Sequence, residues 1–287
     1  MYSIYNPPYK LLDWIDISNI CFDGLVQNSK GGYLLEENFD KIPKWMISSV
    51  SKNESAIHLL ENNKDIINWS FLSTNPNAIN ILKMNLDKID WDALSINPGA
   101  INLLENNIYK IHWVYLSANP DAIHLLEKNQ DKIYWEYLSD NPNAIKILEK
   151  NLDKIDWYYL SKNPNAISIL EKHIDEIDWD YLSMNPNAIN LIQKNLDKIN
   201  WRRLSMNPNA THLLEKNLDK IDWFELSKNQ GAIDIIKDNL DKIDWFMLSR
   251  NPSIFEIDYM LLKERLKFIR KEILEKSLHP RRVKYYI

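Results

Sequence analysis

Glycine is scarce in this 287-residue chain, which contains only five. Tight hairpin turns draw on glycine for positive φ, so the scarcity argues against a β-rich fold with many such turns. Cysteine is rarer still. Cys21 stands alone, no disulfide can form within the chain, and nothing points to a secreted disulfide scaffold. Long hydrophobic runs are missing, since no stretch approaches the ~18 apolar residues of a membrane span. The opening Met-Tyr-Ser-Ile-Tyr-Asn-Pro-Pro lacks the basic flank and apolar run of a signal peptide. A soluble intracellular protein with no membrane partner is the expectation. A Gly-rich phosphate loop is also lacking. The six histidines are scattered and none has metal-ligand spacing, so no metal and no cofactor is expected.

The formal charge of −5 is unevenly spread. Residues 263–287 hold nine Lys/Arg and three Asp/Glu, whereas the remaining residues hold 26 basic and 37 acidic side chains. An acidic body does not attract phosphate backbones by its net field. The basic tail reads as a solvated helix end.

Tryptophan, by contrast, is abundant, with eleven in all. Nine of them, from Trp69 to Trp245, recur at intervals of 22 residues. A leucine follows three residues later, from Leu72 to Leu248, and then a serine, from Ser73 to Ser249. Asn-Pro comes next, from Asn75-Pro76 to Asn251-Pro252, broken only at Asn229-Gln230. The unit closes with Ala-Ile and a segment close to Leu-Leu-Glu-Lys-Asn-Leu-Asp-Lys-Ile. Trp14 and Trp45 fit the same scheme as degenerate leading units, so all eleven tryptophans are expected to share one role.

Asn-Pro starts a helix: asparagine caps free amides, and proline suits a first position that needs no N–H. In Asn97-Pro98 the following Ala100, Ile101, Leu103 and Leu104 form a buried helical stripe. Asp or Asn before tryptophan, as at Asp90, would cap a second, shorter helix ended by the next proline. Leucine-rich repeats share the period but need a Leu-x-Leu strand that does not recur here. The fold expected is all-α, a right-handed α-solenoid of stacked 22-residue helix-turn-helix repeats with a C-terminal capping helix. Degenerate repeats and an N-terminal cap fall in 1–67, regular repeats in 68–252, and the capping helix with its basic tail in 253–287, as one continuous solenoid. Nine regular units in an open stack would span roughly 70–90 Å. The tryptophans read as core residues and the asparagines as helix caps. The recurring Asp-Lys pairs read as solvated turns.

Identical rungs do not make a unique catalytic constellation, so no catalytic residue, and no small-molecule substrate, is expected. Function should lie where the repeat varies: the two residues after each tryptophan and the one before each asparagine. Tyr115, Tyr137, Tyr159, Tyr181 and Arg203 fall in one such column, with Tyr158, Arg202 and Phe224 in the column beside it, and interfaces favour these residue types. These eight are the candidate binding residues.

The consensus D-W-x-x-L-S-x-N-P-N-A-I-x-L-L-E-K-N-x-D-K-I resembles the tandem repeat of a set of uncharacterised proteins encoded by giant nucleocytoplasmic DNA viruses, especially mimivirus relatives. Tyr9–Asp16 and Leu278–Val283 resemble ends seen in that set. The resemblance implies a viral protein acting in the host cytoplasm, the virus factory or the virion, and implies no activity. The leading expectation is a non-enzymatic scaffold that binds a host or viral protein. Single-stranded RNA binding, one base per unit, and a structural role in the virion are the alternatives.

Overall fold

The computed structural model describes residues 7–277, with side chains through residue 271. The basic tail beyond Ser277, including the Leu278–Val283 motif, lies outside the described residues.

Each 22-residue unit folds as expected into two short helices. In the unit beginning at Trp91 the first is Trp91–Ser95. A 3-10 turn at Pro98–Ala100 then runs into the second, Ile101–Glu105, and a further 3-10 turn, Ile108–Lys110, leads to the next unit. The Asp90 carboxylate accepts from the Ala93 N–H and fixes the start of the first helix. Asn97 caps the 3-10 turn by accepting from the Gly99 N–H. The second helix ends without the left-handed residue of a glycine C-cap; Asn107 instead donates its side-chain amide to the Leu103 carbonyl.

The first helices of successive units pack side by side. The leucine and serine of each first helix are fully buried, as are the alanine after Asn-Pro and a leucine or isoleucine of the second helix. No unit could bury these alone; each covers its neighbour.

Two side chains tie the rungs together. Each ladder asparagine accepts one backbone bond in its own unit and donates two, from a single amide nitrogen, to carbonyls of the preceding unit. Asn141 reaches Ser117 and Asn119 in this way, at 3.0 and 2.9 Å. Helix capping, the sequence reading, is therefore half of the asparagine's role. The serine donates to the tryptophan carbonyl of its own helix and accepts the N–H of the residue before the next tryptophan, as Ser139 does with Trp135 and Asp156.

Followed round, the ladder has no end. Asn251 bonds to Ser227 and Asn229, and Asn28 bonds to Ser249 and Asn251, both at 2.9 Å. Asn53 then bonds to Val26 and Asn28, and Asn75 to Ser51 and Asn53. Cys21 donates its N–H to the Ser249 hydroxyl, as Asp156 does to Ser139. Eleven units, marked by Asn28, Asn53 and the nine asparagines from Asn75 to Asn251, make a closed ring. The open stack with capped ends is thus overturned, because the last unit meets the first in the same register as any other pair. The seam is locked by a two-stranded antiparallel pairing of β1 (Tyr9–Leu11) with β2 (Phe255–Ile257), the main departure from an all-helical chain.

The register also corrects the placement of two tryptophans. Phe22 and Ile47, not Trp14 and Trp45, hold the tryptophan slots of units 1 and 2. Phe22 leads to Leu25, Asn28, Leu35 and Asn38 at the standard spacing, and Lys41 sits over its ring at 5.6 Å. Trp45 lies in an insertion between these units and is 71% exposed, while Trp14, three residues beyond β1, is half-buried against the core. Residues 22–67 are complete units rather than an N-terminal cap.

Nor are the nine regular tryptophans fully buried. They are half-buried, packed against the leucine core. In seven of them a lysine, of the Asp-Lys pair in six and of Tyr109-Lys110 in the seventh, lies over the ring at 4.2–4.9 Å. These lysines are cation–π partners, each worth about 0.5–1 kcal/mol at an exposed site. Trp157, whose unit has Glu176 in place of lysine, is met instead by the His173 ring at 5.1 Å.

The C-terminal helix, Tyr259–Ser277, is present but caps no open end. Its N-terminal half passes the side of the ring where Tyr33 and Arg265 meet, at 4.9 Å, and it leaves Met260, Leu266 and Phe268 exposed. No helix among the described residues is long and apolar enough to cross a membrane.

Candidate functional site: the inner wall of the ring

In a closed ring the layer with closer neighbours lies at the smaller radius. In most adjacent pairs of units the first helices are in close contact and the second helices are not, units 1 and 2 being an exception. First helices therefore line the inside. Eleven helices 8–10 Å apart trace a circle roughly 28–35 Å across at their axes. Removing the helix thickness, side chains included, leaves an opening of roughly 17–24 Å. That width admits an extended chain or a single helix.

The three variable columns belong to these first helices. Their repeating side chains are committed to the core and the ladder, and most of the variable ones, apart from the buried Glu225 and Met247, are left for the inner wall. The structure joins five of the eight candidates into one cluster. Tyr137 and Tyr159 stack with ring centroids 6.2 Å apart. Tyr158 meets Tyr159 edge-on at 5.2 Å and shares a hydroxyl–hydroxyl hydrogen bond with Tyr181. The Arg203 guanidinium lies over the Tyr181 ring at 4.2 Å and reaches Asp180 and the Met184 sulfur. Lys162 lies over Tyr159 at 5.0 Å and pairs with Asp140 at 2.7 Å.

This contact network shifts the tyrosines' acidity. The hydrogen bond to Tyr181, helped by burial, pushes the Tyr158 phenol from 10 up to about 12. A hydrogen bond to Glu136, again with burial, raises Tyr159. Both phenols thus stay protonated well into alkaline conditions.

The other three candidates lie apart from that cluster. Tyr115 packs against the His112 ring at 4.5 Å, and Phe224 is exposed. Arg202 belongs to a second cluster, in which Glu225, only 7% exposed, is held by Arg202 at 3.1 Å and Lys228 at 2.6 Å. Burial pushes the Glu225 carboxyl up, but the two cations prevail and hold it below its usual value.

Sequence reasoning missed a cavity of about 620 Å³ against the inner wall at the seam, shared by units 10, 11, 1, 2 and 3. Its lining includes Lys228, Arg250, Lys52 and Phe71, which come together only because the ring closes. The one signal available was the loss of proline after the ladder asparagine.

Comparisons with protein-family models, with curated proteins and with solved structures find no match to this chain.

Proposed function

We propose that the ring is a non-enzymatic interaction scaffold that holds a segment of another protein against its inner wall. One observation carries this reading. The positions free to vary from unit to unit sit together on the inner helices, and along one arc they are filled by Tyr137, Tyr158, Tyr159, Tyr181 and Arg203 in mutual contact. Large, rigid, amphipathic side chains of this kind dominate binding energy at protein interfaces. Glu136 and Asp180 among the tyrosines disfavour the RNA alternative, since they would face phosphates. We infer also that the units wind with right-handed sense, and that the protein belongs with the giant-virus repeat set it resembles, acting on a host or viral protein in the cytoplasm, the virus factory or the virion.

The test is a selection of peptides from a display library on the full chain. Selected peptides should lose binding to a protein carrying Tyr137→Ala, Tyr159→Ala, Tyr181→Ala and Arg203→Ala, provided its circular dichroism is unchanged. Equal binding to both proteins would sink the placement of the site.

A further inference from the structure

The eleven units obey one rule at the position after the ladder asparagine, which is proline in eight of them. The exceptions are Ser29, Glu54 and Gln230, in units 1, 2 and 10. All three line the seam cavity. Proline at that position is the better helix starter and offers no hydrogen bond from its side chain. Pro252 of unit 11 keeps the proline in the same cavity, so three of the four units that present this position to it carry a polar side chain there, which points to a use for them.

In the column before the asparagine the cavity receives Gln27, Lys52, Lys228 and Arg250, all polar or charged, where units 3 to 9 carry a mixture of Ile96, Ala118, Met184 and Met206 with Thr74, Asp140 and Lys162. Lys228, Gln230 and Arg250 stand at one end of the arc, in units 10 and 11, and Met46 and Phe71 at the other, in units 2 and 3, where Lys52 and Glu54 share unit 2 with Met46. Lys228 is engaged by Glu225, while Arg250 rests on the Met247 sulfur and near the Phe246 ring. The volume falls within the roughly 300–1,000 Å³ range of small-molecule sites.

We propose that the seam cavity binds a small anion of the nucleoside-phosphate class. Phosphates are held by Arg250, Lys228 and Gln230, the flat ring lies against Phe71 and Met46, and Glu54 accepts from hydroxyl groups. Guanidinium and ammonium groups bind phosphate through charge-assisted hydrogen bonds, and the Phe71 face, 39% exposed, is free to stack. The site exists only in the closed ring, so its ligand also bridges the first and last units.

Calorimetric titration of the full chain tests this, with ATP, tripolyphosphate and adenosine as probes in the absence of divalent cations. ATP should bind, with tripolyphosphate and adenosine each at least about tenfold weaker. Arg250→Gln and Lys228→Gln should each weaken ATP about tenfold or more. Gln230→Pro, which restores the rule of the other units, should weaken ATP binding while leaving the melting temperature unchanged or raised. Three results would overturn the proposal: no heat with ATP, equal affinity for ATP and tripolyphosphate, or ATP affinity untouched by all three substitutions. None of these outcomes bears on the tyrosine arc, which lies in other units.

Discussion

At Asn141 a single primary amide caps its own unit and grips two carbonyls of the unit before it, at 1% exposure. Asn141→Asp keeps the acceptor, deletes both donors and sets a carboxylate against two carbonyl oxygens. We expect a loss above about 3 kcal/mol in chemical denaturation. Asn141→Ala should cost about 2–4 kcal/mol, since it leaves the Ser117 and Asn119 carbonyls buried and unpaired. Gly24 has a different constraint. A Cβ there would lie 2.4 Å from the Phe246 carbonyl oxygen across the seam, so Gly24→Ala should loosen the seam and lower the melting temperature. At the tyrosine arc, Tyr158 should ionise near 12 rather than 10, visible in the ultraviolet phenolate titration and absent in Tyr158→Phe. The folded ring holds that proton more tightly than the unfolded chain. The Tyr158–Tyr181 contact therefore supports folding below pH 10 and ceases to do so as pH rises from 10 towards 12.

The two helices of each unit were legible because their starts are chemical: Asp or Asn before tryptophan, and Asn-Pro after serine. The caps stand at Asn68, Asp90, Asp156, Asp178, Asn200, Asp222 and Asp244, while His112 and Tyr134 make no such bond. Among the capping aspartates, Asp90 is pulled below the usual carboxylate range, first by a hydrogen bond from Ser70. A depressed carboxylate stabilises the fold above its unfolded pKa and stops doing so as pH falls through the folded value. Asp90→Asn keeps the cap, so it should change neutral stability by less than about 1 kcal/mol and flatten the acid limb of stability against pH. The first two units were harder to place because tryptophan was the landmark. Phe22 and Ile47 fill that slot, Val26 replaces the bridging serine, and Met46 turns its N–H to the Pro43 carbonyl at 2.8 Å instead. Asparagine, the residue that makes the inter-unit bonds, would have kept the phase, since Asn28 and Asn53 hold their slots where tryptophan and proline do not. The three variable columns are visible as varying positions in the sequence, but pattern alone does not say which side of the ring they face, nor that Glu225 and Met247 among them are buried.

Curvature is where reading the sequence stops. Each interface contributes a small turn fixed by how leucine, alanine and serine pack, and nothing in the order of residues announces that eleven such turns complete a circle. Closure has a direct test in chain connectivity. Asp258 donates its N–H to the Pro8 carbonyl at 2.8 Å, so a short linker can join those residues. New termini opened between Asp131 and Lys132, in an exposed turn, should then give a circular permutant that melts within a few degrees of the parent, about 1 kcal/mol. An open stack would place those residues far apart and the permutant would fail to fold. The ring also changes how the protein comes apart. A linear array frays from its ends, losing one interface for each unit released. Here there is no end unit, and the first unit to leave must break two interfaces, together with the β1–β2 pairing if it lies at the seam. Amide exchange should therefore be slow and nearly even around the circle until one breach exposes the rest. The lifetime of the folded state is then governed by a single rare opening rather than by the modest strength of any one unit.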